Sequence, residues 1–147
     1  MRRAQSAFTL LEVIVVLVIA ASAYALMAGT LFRSASSGDL KAAARSLASG
    51  LRQAQTTAMI TKRDALMTVD LEAREYRVEG DAQVRRVSEK IDLKLFTAQA
   101  EVSGAGKGAI RFYPDGSSTG GRITVSSGER QYLVDVDWIT GRVSIGE

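Results

Sequence analysis

Residues 8–32 read FTLLEVIVVLVIAASAYALMAGTLF, a single carboxylate followed by an uncharged apolar run. A helix of about 20 residues covers the roughly 30 Å hydrocarbon core of a bilayer, so residues 13–32 have the length and apolar character of a membrane span. Glu12 lies at the head of this run. A carboxylate there costs about 3 kcal/mol unless it is paired or reaches the interface, so the sequence predicts a specific partner for Glu12.

Three interpretations of this N-terminal segment are open. Arg2 and Arg3 precede the run, which by the positive-inside rule places the amino end in the cytoplasm and the chain after residue 32 across the membrane. A secretory signal would be cut near the small residues 20–23, AASA. A plain signal anchor fits the length but leaves Glu12 unexplained. An anchor with a functional carboxylate explains both features.

Composition excludes several classes of function. The chain has 147 residues, enough for one domain and one anchor, and it contains no Cys and no His. Disulfides, thiolate metal sites, cysteine nucleophiles and imidazole bases are therefore excluded. The chain has 19 basic and 16 acidic residues, of which three arginines and Glu12 lie in residues 1–33. Residues 34–147 therefore contain 16 basic and 15 acidic residues. This balance gives no strong field to attract nucleic acid.

A second, amphipathic helical pattern follows the apolar run over residues 33–63. Small and polar residues at 34–39 interrupt the pattern, so a bend or break is expected near residues 36–38. The apolar stripe is expected to pack on its own domain, with contact to a partner helix as the alternative. Its members recur every three or four residues: Leu40, Ala44, Leu47, Leu51, Ala54 and Ala58.

Alternating patterns over residues 64–147 predict antiparallel strands. Residues 66–71 and 75–79 form a predicted hairpin, with Tyr76 and Val78 on one face, and residues 122–126 and 131–137 form another. Further strands are predicted at residues 83–87, 91–96, 110–113 and 143–145. One N-terminal helix followed by these strands predicts an α+β fold, with the helix packed on an antiparallel sheet or small sandwich.

The N-terminal residues 7–14, AFTLLEVI, resemble the signature of type IV pilins and type II secretion pseudopilins. The resemblance implies a leader at residues 1–7, cleavage by prepilin peptidase between Ala7 and Phe8, and methylation of the new Phe8 amine. Ala7 stands where the family usually has Gly. The resemblance also implies that Glu12 pairs with the N-terminal amine of a neighbouring subunit, and that residues 8–32 form the transmembrane helix.

Two C-terminal stretches narrow this resemblance. Residues 112–123, FYPDGSSTGGRI, and residues 136–143, VDWITGRV, are similar to the end of the minor pseudopilin H family, GspH. Pro114, Asp115 and Gly116 also predict a turn from their own chemistry, and Gly141 predicts a tight return. The residues that carry this likeness are Phe112, Pro114, Asp115, Gly116, Gly121, Trp138, Gly141 and Arg142.

Other chemical interpretations are weaker. The loop at residues 116–122 lacks the Gly-Lys-Ser/Thr ending of a nucleotide-binding loop. Asp135 and Asp137 lie two apart on a predicted strand and could bind calcium, but a solvated strand face with Val134 and Val136 inward explains them. The basic patch at Arg85, Arg86, Lys90 and Lys94 could touch DNA, but interleaved acids favour a solvated surface. Trp138 is expected in the core or at its edge.

The resemblance predicts a minor pseudopilin in the inner membrane, with a cytoplasmic N-terminus and a periplasmic β domain. It is predicted to have no catalytic role, no metal and no cofactor. Its expected partners are major and minor pseudopilins, prepilin peptidase, the inner-membrane assembly platform and exported protein cargo. A minor type IV pilin and a membrane-anchored periplasmic binding module or enzyme remain alternatives.

Overall fold

The computed structural model describes residues 9–31, 35–98 and 106–147, and the chain divides into two compact units. Unit 1 is Met1–Ser34 and contains helix α1, Leu10–Leu31; unit 2 is Ala35–Glu147. The described part of unit 2 contains helix α2, Ser37–Thr61, and eight strands: β1 Ala65–Asp70, β2 Glu75–Val78, β3 Val84–Arg86, β4 Asp92–Thr97, β5 Lys107–Phe112, β6 Gly121–Ser127, β7 Arg130–Val136 and β8 Val143–Gly146.

Helix α1 presents its large apolar side chains to its surroundings. Leu10, Leu11, Tyr24 and the residues from Val13 to Ile19 are all exposed. Among the described residues, no helix combines the length and the apolar character needed to cross a membrane.

Helix α2 begins as a separate helix with its own cap. Ser36 is the N-cap, in an extended conformation, and its hydroxyl accepts a hydrogen bond from the Asp39 N–H at 3.1 Å. The Asp39 carboxylate accepts one in return from the Ser36 N–H at 3.3 Å, which completes a capping box. The break expected near residues 36–38 is confirmed. The helix ends at Thr61, and its C-cap residue, Lys62, adopts a left-handed conformation with φ 56°.

The apolar stripe of α2 packs inside unit 2, as predicted. All six predicted stripe residues are buried, together with Ala48 and Gly50. They contact one core cluster that draws side chains from both sheets, including Met67, Ile110, Phe112 and Ile123. All the buried core residues of the described chain lie in unit 2, so this unit holds a hydrophobic core of its own and is expected to fold alone.

The strands form two four-stranded antiparallel sheets in the described chain. The first sheet has the order β3-β2-β1-β5 and the second β4-β6-β7-β8. Helix α2 contacts both sheets. The Thr97 hydroxyl in β4 donates to the Ala109 carbonyl in β5 at 2.6 Å, which links the two sheets. The predicted α+β class with antiparallel strands is confirmed, and the β domain contains two sheets that share one core.

Both predicted hairpins are present. Strands β1 and β2 pair from Asp70–Glu75 to Met67–Val78, and Tyr76 and Val78 are buried on one face. Strands β6 and β7 pair in register around the turn at Gly128 and Glu129. In the first hairpin the Asp70 carboxylate accepts hydrogen bonds from two N–H groups of its turn, at 3.1 and 2.8 Å. Local turn chemistry therefore fixes this register.

Candidate functional site

The N-terminal motif places Glu12 in the first turn of α1. The Glu12 N–H lies 3.1 Å from the Thr9 carbonyl oxygen and 3.2 Å from the Thr9 hydroxyl, so Thr9 caps the helix. The Glu12 side chain is exposed, and no hydrogen bond or ion pair engages its carboxylate within residues 9–31, 35–98 and 106–147. The positive end of the helix dipole favours a carboxylate here. Ala7 and Phe8, the predicted cleavage residues, lie outside the described residues.

The Pro114-Asp115-Gly116 segment forms the predicted turn after β5. The Gly116 N–H donates to the Tyr113 carbonyl at 2.9 Å, and Gly116 has φ 89°. The Asp115 carboxylate accepts from the N–H and the hydroxyl of Ser117, at 2.9 and 2.5 Å. These bonds from Ser117, the hydroxyl first, hold the pKa of Asp115 below its ordinary value.

A second turn follows β7 and is built around Asp137. The Asp137 carboxylate accepts from the N–H groups of Ile139 and Thr140 at 3.1 and 2.8 Å, and from the Thr140 hydroxyl at 2.8 Å. These bonds, that of the Thr140 N–H above all, lower the pKa of Asp137. The Gly141 N–H donates to the Asp137 carbonyl at 2.8 Å, and Gly141 has φ 62°. The tight return predicted at Gly141 is confirmed.

Gln55 of α2 joins the two turns. Its amide nitrogen donates to the Gly116 carbonyl at 2.9 Å and to the Thr140 carbonyl at 3.2 Å. Gly141 is buried against this junction, where a Cβ atom would overlap the Gly116 carbonyl oxygen and the Gln55 amide. The motif residues Gly116 and Gly141 therefore meet through a side chain that the sequence analysis did not single out.

The remaining motif residues lie in or beside the two turns that Gln55 joins. Phe112 is fully buried in the core, and Gly121 begins β6 between Thr97 and Val136. Pro114 is half-buried. The Asp137 N–H donates to the Arg142 carbonyl at 3.0 Å, while the Arg142 side chain is exposed.

Trp138 was predicted in the core or at its edge, and the structure contradicts this prediction. Its side chain is 66% exposed, and that of Ile139 is 61% exposed. Asp137 ends the alternating strand pattern by capping the turn, so residues 138 and 139 leave the sheet and point outward. The Trp138 carbonyl is nevertheless fixed, since it accepts from the Ser118 N–H at 2.9 Å.

The alternative chemical sites find little support in the described chain. Asp135 pairs with Arg122 at 2.5 Å while Asp137 caps its turn, and Val134 and Val136 are buried as predicted. No group of three or more candidate metal ligands occurs in the described residues. In the predicted basic patch, Arg85 pairs with Asp81 at 2.8 Å and Arg86 with Glu75 at 2.6 Å. These ion pairs weaken the case for DNA binding.

The family of this chain follows from a match between a family model and the part of unit 2 that contains the two turns. A family model described as type II transport protein GspH matches residues 43–141, which include most of α2, strands β1 to β7 and both turns, and end before β8. The chain belongs to the GspH family. A second model, the prokaryotic N-terminal methylation motif, matches residues 2–23. The GspH family and this motif together indicate a membrane-anchored protein with a periplasmic domain that interacts with other pseudopilins and with prepilin peptidase.

One curated relative agrees with the GspH assignment, and two solved structures have a similar fold. Type II secretion system protein H of Xanthomonas campestris pv. campestris is 31% identical over 145 residues, covering 99% of this chain and 85% of the relative. The minor pseudopilin EpsH from the type 2 secretion system of Vibrio cholerae has a similar fold, with TM-score 0.58 and 14% identity over 73% of this chain and 95% of that one. The type IV minor pilin FimU of Pseudomonas aeruginosa is also similar, with TM-score 0.57 and 12% identity over 75% and 90%.

Proposed function

We propose that this GspH-family minor pseudopilin is a structural subunit at or near the tip of a type II secretion pseudopilus and assists the export of folded proteins across the outer membrane. The match of the GspH model to residues 43–141 carries the proposal, together with the 31% identical relative named as type II secretion system protein H. The family is structural, so the chain is not an enzyme. Its work is assembly with other subunits.

The proposed assembly device is the N-terminal motif. Prepilin peptidase would cut between Ala7 and Phe8, and the new Phe8 amine would be methylated. Glu12 would then pair with the Phe8 amine of a neighbouring subunit. The exposed Glu12 carboxylate, without a partner in the described chain, supports this role, because an unpaired carboxylate at the head of an apolar helix is costly in a membrane.

Residues 8–32 are the proposed single-pass anchor in the bacterial inner membrane. Arg2 and Arg3 favour a cytoplasmic amino end and therefore a periplasmic unit 2. The exposed apolar side chains of α1 need an apolar environment, which lipid or the helices of neighbouring pseudopilins would supply. The inner-membrane assembly platform is a further proposed partner, and exported proteins are the proposed cargo.

A minor type IV pilin is the second candidate function. The TM-scores to FimU and EpsH, 0.57 and 0.58, are nearly equal, so the fold alone does not separate a pilus from a pseudopilus. In a strain that lacks this chain, the proposed function predicts that exported proteins accumulate in the periplasm while twitching motility is normal. Lost twitching with normal export would favour the pilus.

The role of Glu12 is tested by complementing that strain with Glu12→Ala. We expect the variant to stay in the membrane, to lose its crosslinks to other pseudopilins and to leave export defective. Glu129→Ala is the matched control, since Glu129 is an exposed carboxylate in the β6–β7 turn. Normal export with Glu12→Ala, or an equal defect with Glu129→Ala, would contradict the assembly role.

A further inference from the structure

Two exposed aromatic side chains flank the start of β6 in the second sheet. Phe96 of β4 is 78% exposed, and Trp138, which follows β7, is 66% exposed. Strand β6 lies between β4 and β7, and Phe96 pairs with Arg122 near the start of β6. A Cβ atom on Gly120, the residue before β6, would lie 3.0 Å from the Trp138 Cβ. One aromatic residue therefore lies on each side of the start of β6.

An open hollow of about 580 Å³ lies beside Phe96. Its lining consists of Phe96, Gly121, Arg122 and Asp135. The volume is within the range of small-molecule clefts, roughly 300–1,000 Å³. We call Phe96, Arg122, Asp135 and Trp138 the aromatic platform.

The ion pair in the aromatic platform offers hydrogen-bond donors and an acceptor side by side. The Arg122 Nε donates to the Asp135 Oδ1 at 2.5 Å, and the two side chains are 53% and 36% exposed. Within the described residues, no other hydrogen bond engages the terminal nitrogens of Arg122 or the Oδ2 of Asp135. A hydroxyl group both donates and accepts, so it can accept from Arg122 while it donates to Asp135. The pair therefore suits a hydroxylated ligand.

The aromatic platform suits other polymers less well. Single-stranded nucleic acid stacks on aromatic rings but also needs a positive groove. Asp135 neutralises Arg122, and Lys94, two residues before Phe96, adds a single exposed cation on β4. An extended peptide needs free backbone groups, yet β6 is paired with β4 on one side and with β7 on the other. A sugar needs neither feature, since its apolar ring face stacks on an aromatic ring and its hydroxyls bond to the ion pair.

The separation of the two aromatic residues favours a chain of sugars. Neighbouring strands lie about 4.8 Å apart, so β4 and β7, on either side of β6, lie about 10 Å apart. A single sugar would contact one ring, whereas a glycan chain can contact both at once. The glycan chains of the periplasm are the strands of peptidoglycan.

We propose that the aromatic platform binds the glycan strands of peptidoglycan, with sugar rings stacked on Phe96 and Trp138 and sugar hydroxyls bonded to Arg122 and Asp135. This inference rests on the proposed function, which places unit 2 in the periplasm. Binding would hold unit 2 against the cell wall through which exported proteins must pass.

The test mixes the detergent-solubilised full chain with purified peptidoglycan sacculi and measures the bound fraction by sedimentation. We expect saturable binding, which Phe96→Ala and Trp138→Ala should each weaken about tenfold. Both side chains are exposed, so neither change should alter folding. Ile60→Ala, which removes a side chain 74% exposed on α2, is the matched control and should bind like the wild type. Lys94→Glu should also bind normally, because stacking and the ion pair, rather than net charge, hold the glycan.

A soluble oligomer of N-acetylglucosamine gives a second measurement. Trp138 is the sole tryptophan of the chain, so its fluorescence should move to shorter wavelength when the oligomer covers the ring. Asp135→Asn should weaken binding of the oligomer about tenfold, because the sugar hydroxyl loses a charged acceptor. An unchanged affinity for this variant would contradict the role of the ion pair.

Three results would overturn the glycan site: no binding of the wild type to sacculi, wild-type binding by both aromatic variants, or loss of binding in Lys94→Glu. Export in the strain that lacks this chain tests the proposed function separately. Defective export in that strain, together with no binding to sacculi, overturns the glycan site alone. Normal export in that strain contradicts the proposed function itself, on which the glycan site rests.

Discussion

Replacing Gly141 with Ala should destabilise unit 2 by about 3 kcal/mol. A residue other than Gly in the left-handed conformation, here φ 62°, costs about 1–2 kcal/mol. The added Cβ would also overlap the Gly116 carbonyl oxygen and the Gln55 amide, so the two turns must separate. Separation loses the hydrogen bond from Gln55 to Gly116, which contributes about 1 kcal/mol.

Gly128→Ala is the matched control for this substitution. Gly128 has the same φ of 62°, but a Cβ there meets no atom within 4 Å. Gly128→Ala should therefore show the backbone cost alone, about 1–2 kcal/mol. Urea unfolding of residues 35–147 measures both variants. With an m value of about 1.5 kcal/mol/M, Gly141→Ala should lower the midpoint by about 2 M. Equal shifts for the two variants would refute the account of the junction between the turns.

Three further measurements test the packing and the electrostatics of unit 2. Gln55→Ala should lower the free energy of unfolding by about 1 kcal/mol, because the Gly116 and Thr140 carbonyls lose their hydrogen-bond donor. Gln131 is exposed, so the control Gln131→Ala should change the free energy of unfolding by less than about 0.5 kcal/mol. Equal losses for the two variants would argue against the bridging role of Gln55. Phe112 is buried in the core, so Phe112→Ala should lower the free energy of unfolding by about 4 kcal/mol. Phe96 is 78% exposed, so Phe96→Ala should lower it by less than about 0.5 kcal/mol. Similar urea midpoints for the two variants would contradict the placement of these rings. Because the pKa of Asp137 is lower when folded, its carboxylate stabilises unit 2 above the unfolded pKa near 3.8, and this contribution is lost as pH falls through the folded pKa. Unfolding measured from pH 6 down to about pH 2 should thus show a shallower loss of stability for Asp137→Asn than for the wild type, and parallel curves would count against the Asp137 cap.

Local chemistry allowed the main elements of the fold to be predicted. The three- and four-residue spacing of Leu40, Ala44 and Leu47 placed one face of α2 in the core, and alternation located both hairpins. Pro114-Asp115-Gly116 predicted its turn because each residue has a distinct backbone preference. The Ser36 and Asp39 pair was visible as a capping box and would have fixed the start of α2.

The sequence predicted an antiparallel sheet or a small sandwich, and it did not decide between them. Strand order depends on contacts between distant segments, such as β1 with β5, and no local pattern encodes them. Gln55 was missed for the same reason, since a polar residue within a helix carries no signal that its partners are two carbonyls 61 and 85 residues away. The prediction for Trp138 was wrong because it relied on the large apolar side chain. It did not take into account that the neighbouring Asp137 caps a turn there.

The processed N-terminus tests the central claim most directly. Mass spectrometry of the chain extracted from its native membrane should find a chain that begins at a methylated Phe8, with residues 1–7 removed and residues 8–32 retained. That result would support the pilin-type assembly of this GspH-family subunit and leave Glu12 placed to pair with a neighbouring amine. A chain that still begins at Met1, or one cut after Ala23, would contradict it.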